Sequence, residues 1–331
     1  MESDYDDLDR RLVHALQVDG RAPFSTIAAA LGVSDRTVAR RYARLRSTGA
    51  VRVLGGVDPM ALGAVLWLLR VRCAPSASVA VAEALARRPE TSWVSLSSGG
   101  TEITCTVRAE SEADSEALLL ARLPRTPRVE GVSAHSVLHT FYGGPDSLIA
   151  KLGPLDAAAV EALRPPPLPQ RPLPDRLLPD RPGPVRLDDG DRRLLAALAA
   201  DGRAGFEQLA ELTGWSPTTV RRRMTELRER GVLYLDVDCD KRLLGFGTRT
   251  LLWLSVAPPH LEEAGRALAG HPEVAFAAAT TGPTNLYATV VCADQRALYR
   301  YLTTRVAALP AVLQVETAPV IRTVKQAATR T

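Results

Sequence analysis

Two stretches, Ser34 to Gly49 (SDRTVARRYARLRSTG) and Ser216 to Gly231 (SPTTVRRRMTELRERG), gather the side chains best suited to recognition chemistry. Arg36, Thr37, Arg40, Arg41 and Arg44 in the first, and Thr218, Thr219, Arg222 and Arg223 in the second, can hydrogen-bond phosphate oxygens and the acceptor edge of guanine. Each stretch reads as a helix with a serine N-cap (Ser34, Ser216), Asp35 or Pro217 at its first position, and a terminal glycine. Val38, Tyr42 and Leu45 recur at i, i+4 and i+7, as do Val220, Met224 and Leu227, so one face of each helix is turned to a core. The arginines and threonines occupy the other face of a short rod that fits a major groove.

A charged face on an amphipathic helix is commonly just its solvated side. The residues before each helix decide otherwise. Phe24, Ile27, Ala28 and Leu31 form a short apolar helix ending at Gly32, and Phe206, Leu209 and Ala210 lead in the same way to Gly214 and Ser216. A short helix, a turn with glycine and a capped basic helix make a helix-turn-helix, whose partner is double-stranded DNA.

The surrounding chain has 331 residues, enough for several domains, with 46% hydrophobic and 24% charged residues, as expected of a soluble globular protein. A net charge of +4 permits a nucleic-acid partner without requiring one. Nearly all positive charge is arginine, the lysines being Lys151, Lys241 and Lys325; genome base composition also produces such a skew. No apolar run is long enough to span a bilayer, and the acidic start MESDYDDLD is unlike a signal peptide, so a cytoplasmic protein without a membrane partner is expected. Cys73, Cys105, Cys239 and Cys292 lie far apart and read as reduced core or strand residues. His135 and His139 share a strand face about 13 Å apart, too far to share a metal. Neither metal nor cofactor is expected, and no catalytic residue is assigned.

An internal repeat organises the chain. Asp9-Arg10-Arg11-Leu12 returns as Asp191-Arg192-Arg193-Leu194, and Asp19-Gly20-Arg21-Ala22 as Asp201-Gly202-Arg203-Ala204. The match continues through Leu62-Gly63 with Leu244-Gly245, Trp67 with Trp253, Pro89-Glu90 with Pro272-Glu273, and Gly99 with Gly282. In each copy a three-helix head is followed by a strand, Ala50 to Val57 or Val232 to Val237. Strands are then expected at 65–73, 92–97, 103–107 and 129–140, with helices at 78–87 and 112–123, and the second copy repeats this from 251 to 323. Two strand-helix-strand units in series give a ferredoxin-like βαββαβ sandwich, so the fold class is α+β. The expected domains are 1–50 (first helix-turn-helix), 51–145 (first ferredoxin-like), 146–186 (linker), 187–232 (second helix-turn-helix) and 233–326 (second ferredoxin-like). Within the linker, RPPPLPQRPLPDRLLPDRPGPVR (164–186) is too rich in proline for a helix or inner strand and reads as an extended spacer.

The run DRRLVHALQVDGRAPFSTIAAALGVSDRTVARRYARLRSTG, followed by a connecting strand and SLSSGGTEITCTV, resembles the leucine-responsive regulator (Lrp/AsnC) family. The second copy, with ATTGPTNLYATVV, is similar to it as well. The resemblance implies a bacterial or archaeal transcription regulator whose βαββαβ domain self-associates and often senses amino acids. A duplicated chain can form the family's two-fold arrangement within one polypeptide, with Val51 to Val57 beside Leu233 to Val237, besides forming homo-oligomers. Glu226 and Glu229 stand in the second basic helix where the first has Arg44 and Ser47, so unequal reading heads are expected.

The family's glycine loop, commonly G-x-x-D, corresponds to Gly99-Gly100-Thr101-Glu102 and Gly282-Pro283-Thr284-Asn285. The resemblance makes Gly99, Thr101, Glu102, Gly282, Thr284 and Asn285 candidates for effector contact, with Glu102 pairing a ligand amino group. The plain alternative is a tight turn that needs glycine. Sirohaem decarboxylases resemble the same tandem frame and carry His, Arg and Tyr side chains near the middle strands. Here SWVSLSSGG and AFAAATTGPTNLY are small and hydroxyl-rich, with Tyr287 alone nearby and no arginine cluster, so a regulator rather than an enzyme is expected.

Overall fold

The computed structural model describes residues 5–116, 128–164 and 185–326, without the side chains of Glu112, Ser115, Lys241 and Arg242. In chain order the first copy contains α1 (Asp7–Val18), α2 (Phe24–Leu31), α3 (Asp35–Ser47), β1 (Val51–Val57), β2 (Val65–Cys73), α4 (Ser78–Ala86), β3 (Thr91–Ser97), β4 (Glu102–Ala109), α5 (Glu112–Glu116) and β5 (Val129–Tyr142). Two short helices follow, α6 (Leu148–Leu152) and α7 (Ala157–Leu163). The second copy contains α8 (Asp189–Ala200), α9 (Phe206–Thr213), α10 (Pro217–Glu229), β6 (Leu233–Cys239), β7 (Thr248–Val256), α11 (Leu261–Ala269), β8 (Val274–Thr280), β9 (Leu286–Cys292), α12 (Gln295–Tyr301) and β10 (Val312–Thr323). The remainder of the expected helix 112–123, and 165–184 of the expected spacer, lie outside the described residues.

The chain forms two compact units, each drawing on both copies: residues 1–62 with 144–246, and residues 63–143 with 247–331. In the first unit the heads are joined as expected of the two-fold arrangement within one polypeptide: β1 and β6 pair antiparallel from Val51–Cys239 to Val57–Leu233. Each head also completes its core with residues from the other copy. Val237 and Leu243 pack with Leu12, Leu16, Ile27, Val38 and Leu45, while Val57, Ala61 and Leu62 pack with Leu194, Leu198, Leu209, Val220 and Leu227. Gly55, in mid-strand, lets α8 approach β1: a Cβ there would stand 2.7 Å from that of Leu198.

The helical starts follow from local chemistry. Asp6 and Asp188 make capping boxes with Asp9 and Asp191, Ser34 and Ser216 accept from the Thr37 and Thr219 amides, and Gly32 and Gly214 end α2 and α9 with positive φ. The expected linker, 146–186, begins with two helices ahead of the proline-rich run. Ser147 and Asp156 cap α6 and α7 through their side chains, and Ile149, Leu155 and Leu163 join the core of the first head. His14, buried there, accepts a hydrogen bond at Nδ1 from the Leu155 amide (3.1 Å).

In the second unit each copy has the strand order of a βαββαβ sheet: β3-β4-β2-β5 and β8-β9-β7-β10. β5 pairs with β8 and β10 with β3, closing an eight-stranded barrel. Alternate residues therefore face outward against helices or inward to the lumen. Leu69, Val71, Ile103 and Cys105 pack with Val81 and Leu85 of α4, and Leu252, Leu254 and Val290 pack with Ala264 and Leu268 of α11. The registers correct one correspondence in the repeat. Trp67 lies opposite Val107 as Thr250 lies opposite Val290, whereas Trp253 lies opposite Tyr287 as Arg70 lies opposite Thr104. Trp253 is thus the counterpart of Arg70, not of Trp67.

Candidate nucleic-acid interface

The basic helices α3 and α10 are seated as their apolar spacing requires: Val38, Tyr42, Leu45, Val220, Met224 and Leu227 are all buried. Their arginines do not form two uniform free faces. Arg41 Nη1 reaches Asp6 (2.7 Å) and Asp9 (2.9 Å), and Arg44 Nη2 reaches Asp9 (2.5 Å). Arg223 pairs with Asp191 through Nε and Nη2, both at 2.6 Å, and with Glu226 at 2.8 Å. Arg41 and Arg223 consequently hold their helices to α1 and α8. Their Asp partners Asp9 and Asp191 are 1% and 0% exposed.

The charge balance matches that geometry. Hydrogen bonds donated to Asp6 and Asp9 raise the Arg41 pKa, and those donated to Asp191 and Glu226 raise that of Arg223 against the opposing effect of burial. Burial disfavours ionised Asp191, but the Arg223 hydrogen bonds outweigh it and hold the carboxyl below its ordinary range. The sequence gives the signal in retrospect: the repeated Asp of Asp-Arg-Arg-Leu is both the third residue of a capping box and the anchor of an arginine.

What remains outward is smaller and sharper. Arg36 and Arg40 are exposed, and their guanidinium groups have no acidic partner among the described residues. Thr37 lies beside them, its hydroxyl 2.9 Å from Ser34 Oγ. On α10, Thr218 is exposed, Thr219 and Ser216 repeat that hydroxyl pair at 2.9 Å, and Arg222 is 72% exposed with Glu226 4.0 Å away. Ser34 and Ser216 cap their helices, so their side-chain oxygens are already engaged with backbone.

A second set of arginines lies outside the helix-turn-helix motif. Arg21 donates to the Gly202 and Ala204 carbonyls (2.7 and 2.8 Å), and Arg203 donates to those of Gly20 and Ala22 (2.6 and 3.0 Å). Arg21 lies over the Phe206 ring and Arg203 over that of Phe24, each at 4.7 Å. Burial lowers both arginine pKa values. This reciprocal clamp, together with β1–β6 pairing, fixes the two basic helices within one unit. The repeated Asp-Gly-Arg-Ala, polar and outside the helical stripes, was its trace in the sequence.

The glycine-loop candidates separate in the same way. Gly99 and Gly282 have positive φ (72° and 105°), and Thr101 Oγ1 closes its turn on the Ser98 carbonyl (2.7 Å). Glu102, the candidate partner for a ligand amino group, begins β4, is 5% exposed, and is already paired with Arg70. Asn285 is likewise committed, bridging the Val256 amide and carbonyl at 2.8 Å each. Thr284 gives its carbonyl to Thr280 Oγ1, and its own hydroxyl is buried. Among the described residues no cluster of potential metal ligands occurs, and no helix is long and apolar enough to cross a membrane.

Comparison with known proteins agrees with this architecture. The AsnC-type helix-turn-helix domain matches twice, at residues 6–46 and 187–228, and the Lrp/AsnC ligand binding domain matches residues 250–329. An uncharacterised HTH-type transcriptional regulator of Pyrococcus furiosus is 30% identical over 39% of this chain and 86% of its own length. An HTH-type transcriptional regulator of Mycobacterium tuberculosis is 33% identical over 34% of this chain and 78% of its own. The crystal structure of the siroheme decarboxylase NirDL has the same fold over 97% of this chain and 93% of that one, with a TM-score of 0.63 and 16% identity. The twin capped heads, the closing βαββαβ sheets and these relatives together make the chain a member of the Lrp/AsnC family, in a tandem form with two helix-turn-helix segments.

Proposed function

We propose that the protein is a sequence-specific DNA-binding transcriptional regulator whose two unequal heads read one operator as an intramolecular pair. The observation that carries this reading is the exposed pair Arg36 and Arg40 on α3 with half-buried Thr37 between them, matched on α10 by exposed Thr218 and Arg222 with half-buried Thr219. Arg36 and Arg40 supply bidentate donors for phosphate or guanine, and the threonines supply hydroxyls for either. Arg41, Arg44 and Arg223, occupied by carboxylates, act by holding the helices at their docking angle. The operator then has two half-sites of unequal sequence and unequal strength. An amino-acid or related effector near Gly99, Thr101, Gly282 and Thr284 belongs to the same proposal, and it would meet turn backbone rather than a free carboxylate.

Selection of genomic fragments by the purified full-length chain, with and without an amino-acid pool, tests this. A recurrent site with two dissimilar halves supports the reading. Retention of no duplex at low salt rejects it.

A second reading, decarboxylation of a carboxylated tetrapyrrole, is favoured by one observation. Arg70, Arg249, His135 and Tyr287 come from distant positions of the sequence onto the inward faces of their strands, correcting the expectation of Tyr287 alone. A porphyrin-type absorbance band on the purified protein, with release of carbon dioxide from sirohaem, would establish it. A colourless protein that selects an operator would rule for DNA.

A further inference from the structure

The second basic helix carries an arginine that the first lacks. Residues advance about 100° each around a helix axis, so Thr218 and Arg222 lie roughly opposite buried Val220, and Arg221 lies on the flank between. At the same place in α3 stands Ala39, and the outward arginines of that helix, Arg36 and Arg40, both lie opposite buried Val38. The second head therefore has one outward arginine on the far face and one to the side.

Two contacts show which way that flank is turned. The Arg221 guanidinium lies over the Phe206 ring of α9 at 4.5 Å, and the Arg21 guanidinium of the first head lies over the same ring at 4.7 Å. Arg46, on the corresponding flank of α3, crosses to Asp201 of the second head at 2.7 Å. Both flanks thus face the junction of the two heads, within one compact unit.

The acids of this junction are already engaged. Asp201 accepts from Arg46 and from the Arg203 amide, and Asp19 accepts from the Arg21 amide. Arg21 and Arg203 spend their guanidinium groups on backbone carbonyls. Arg221 is exposed and has no acidic partner among the described residues. Stacking on a ring fixes the plane of a guanidinium and leaves its in-plane N–H donors free for acceptors. The core does not require an arginine here, since the first head seats its matching helix with alanine.

We propose that Arg221 is a DNA contact peculiar to the second head, donating to the acceptors of the duplex between the two half-sites. With each basic helix in a major groove, the flank turned to the other head overhangs that middle segment. The acceptors offered there are phosphate oxygens and, in the minor groove, adenine N3 and thymine O2. The operator is then unequal in the placing of its contacts as well as in its sequence: the second head reaches farther toward the middle than the first. This inference rests on the DNA-binding reading proposed above and assigns a contact that the outward faces of the helices do not supply.

Fluorescence anisotropy over a salt series, with the full-length chain and an operator selected by it, tests this. Arg221→Ala should lower the salt slope by about one and weaken binding severalfold at fixed salt, with the melting temperature unchanged, and Arg221→Lys should restore the slope. Arg266→Ala, which removes an exposed arginine of α11, should bind as the wild type does. Two altered duplexes locate the contact: neutral methylphosphonates between the half-sites remove phosphate charge, and inosine·cytosine in place of guanine·cytosine there removes the minor-groove amino group. One of the two should change wild-type affinity and have no effect on Arg221→Ala, which says whether phosphate or base edge is bound. Retention of no duplex by the wild-type chain rejects the DNA-binding reading and this inference with it. Wild-type binding that Arg221→Ala leaves equal in slope and affinity overturns this inference alone, as does a loss that is the same on both altered duplexes as on the unaltered one.

Discussion

At the scale of single residues, identical side chains in neighbouring positions have opposite duties. Arg40 faces outward and Arg41, next in sequence, is tied to Asp6 and Asp9; Arg222 and Arg223 repeat the contrast. Arg40→Ala should leave the melting temperature within about a degree and lower the salt slope of DNA binding by about one, the signature of a lost phosphate contact. Arg223→Ala should destabilise the fold by about 3 kcal/mol, because it strands the buried Asp191 charge. The pH dependence has a definite sign. The Asp191 carboxyl is held below its ordinary value, so its contribution is present above that ordinary value and lost as pH falls through the lower, folded one. Urea melts of wild type and Arg223→Ala should therefore differ at pH 7 and converge as the solution becomes strongly acidic. Composition and spacing made the helical face legible, since hydrophobic periodicity identifies which residues point away from the core. They could not separate Arg40 from Arg41, because the partner of Arg41 is some thirty residues away and becomes a neighbour only on folding.

At the scale of elements, capping and turn chemistry were readable because their partners are local. Ser34, Ser216, Gly32 and Gly214 end their helices as their residue types require. Ser216→Ala should lower stability by about 1 kcal/mol by removing the bond to the Thr219 amide, measurable as a shift in denaturation midpoint. The helices α6 and α7 were hidden by the proline-rich run that follows them, although Ser147 and Asp156 are good caps. His14 gives this segment a pH response. Burial depresses its pKa below the usual 6.5, so the neutral ring that accepts from Leu155 favours the folded state above that value. As pH falls through 6.5 toward the folded pKa, the unfolded chain takes up the proton first and stability declines. The protection of the Leu155 amide, relative to its intrinsic exchange at each pH, should fall between neutral and mildly acidic pH in the wild type, and lose that dependence in His14→Gln. The mismatch of Trp67 with Trp253 has an equally local cause: a strand slip of three residues conserves an eye-catching tryptophan while reversing which side of the sheet it faces.

At the scale of the whole molecule, the repeat predicted four domains in series, whereas contacts sort the described chain into two units that each combine both copies. Sequence carries repeat correspondence well. The adjacency of 51–57 and 233–237 followed from it, but not which copy supplies the last core residue, as Val57 and Val237 do for each other's heads. Arg21 and Arg203 make that exchange reciprocal, so changing both to methionine should loosen the pair, seen as faster amide exchange across β1 and β6 and as a smaller gain in affinity for a two-half operator over either half alone. The account rests above all on two coupled heads presenting unequal sets of outward-facing arginine to one duplex. Its most direct test is the salt dependence of binding to a selected operator, measured by fluorescence anisotropy for the wild-type chain, for Arg36→Ala with Arg40→Ala, and for Arg222→Ala. The account predicts that the slope falls by about two in the double variant and about one in the single variant, with melting temperatures unchanged. Slopes and affinities equal to wild type in both would contradict it.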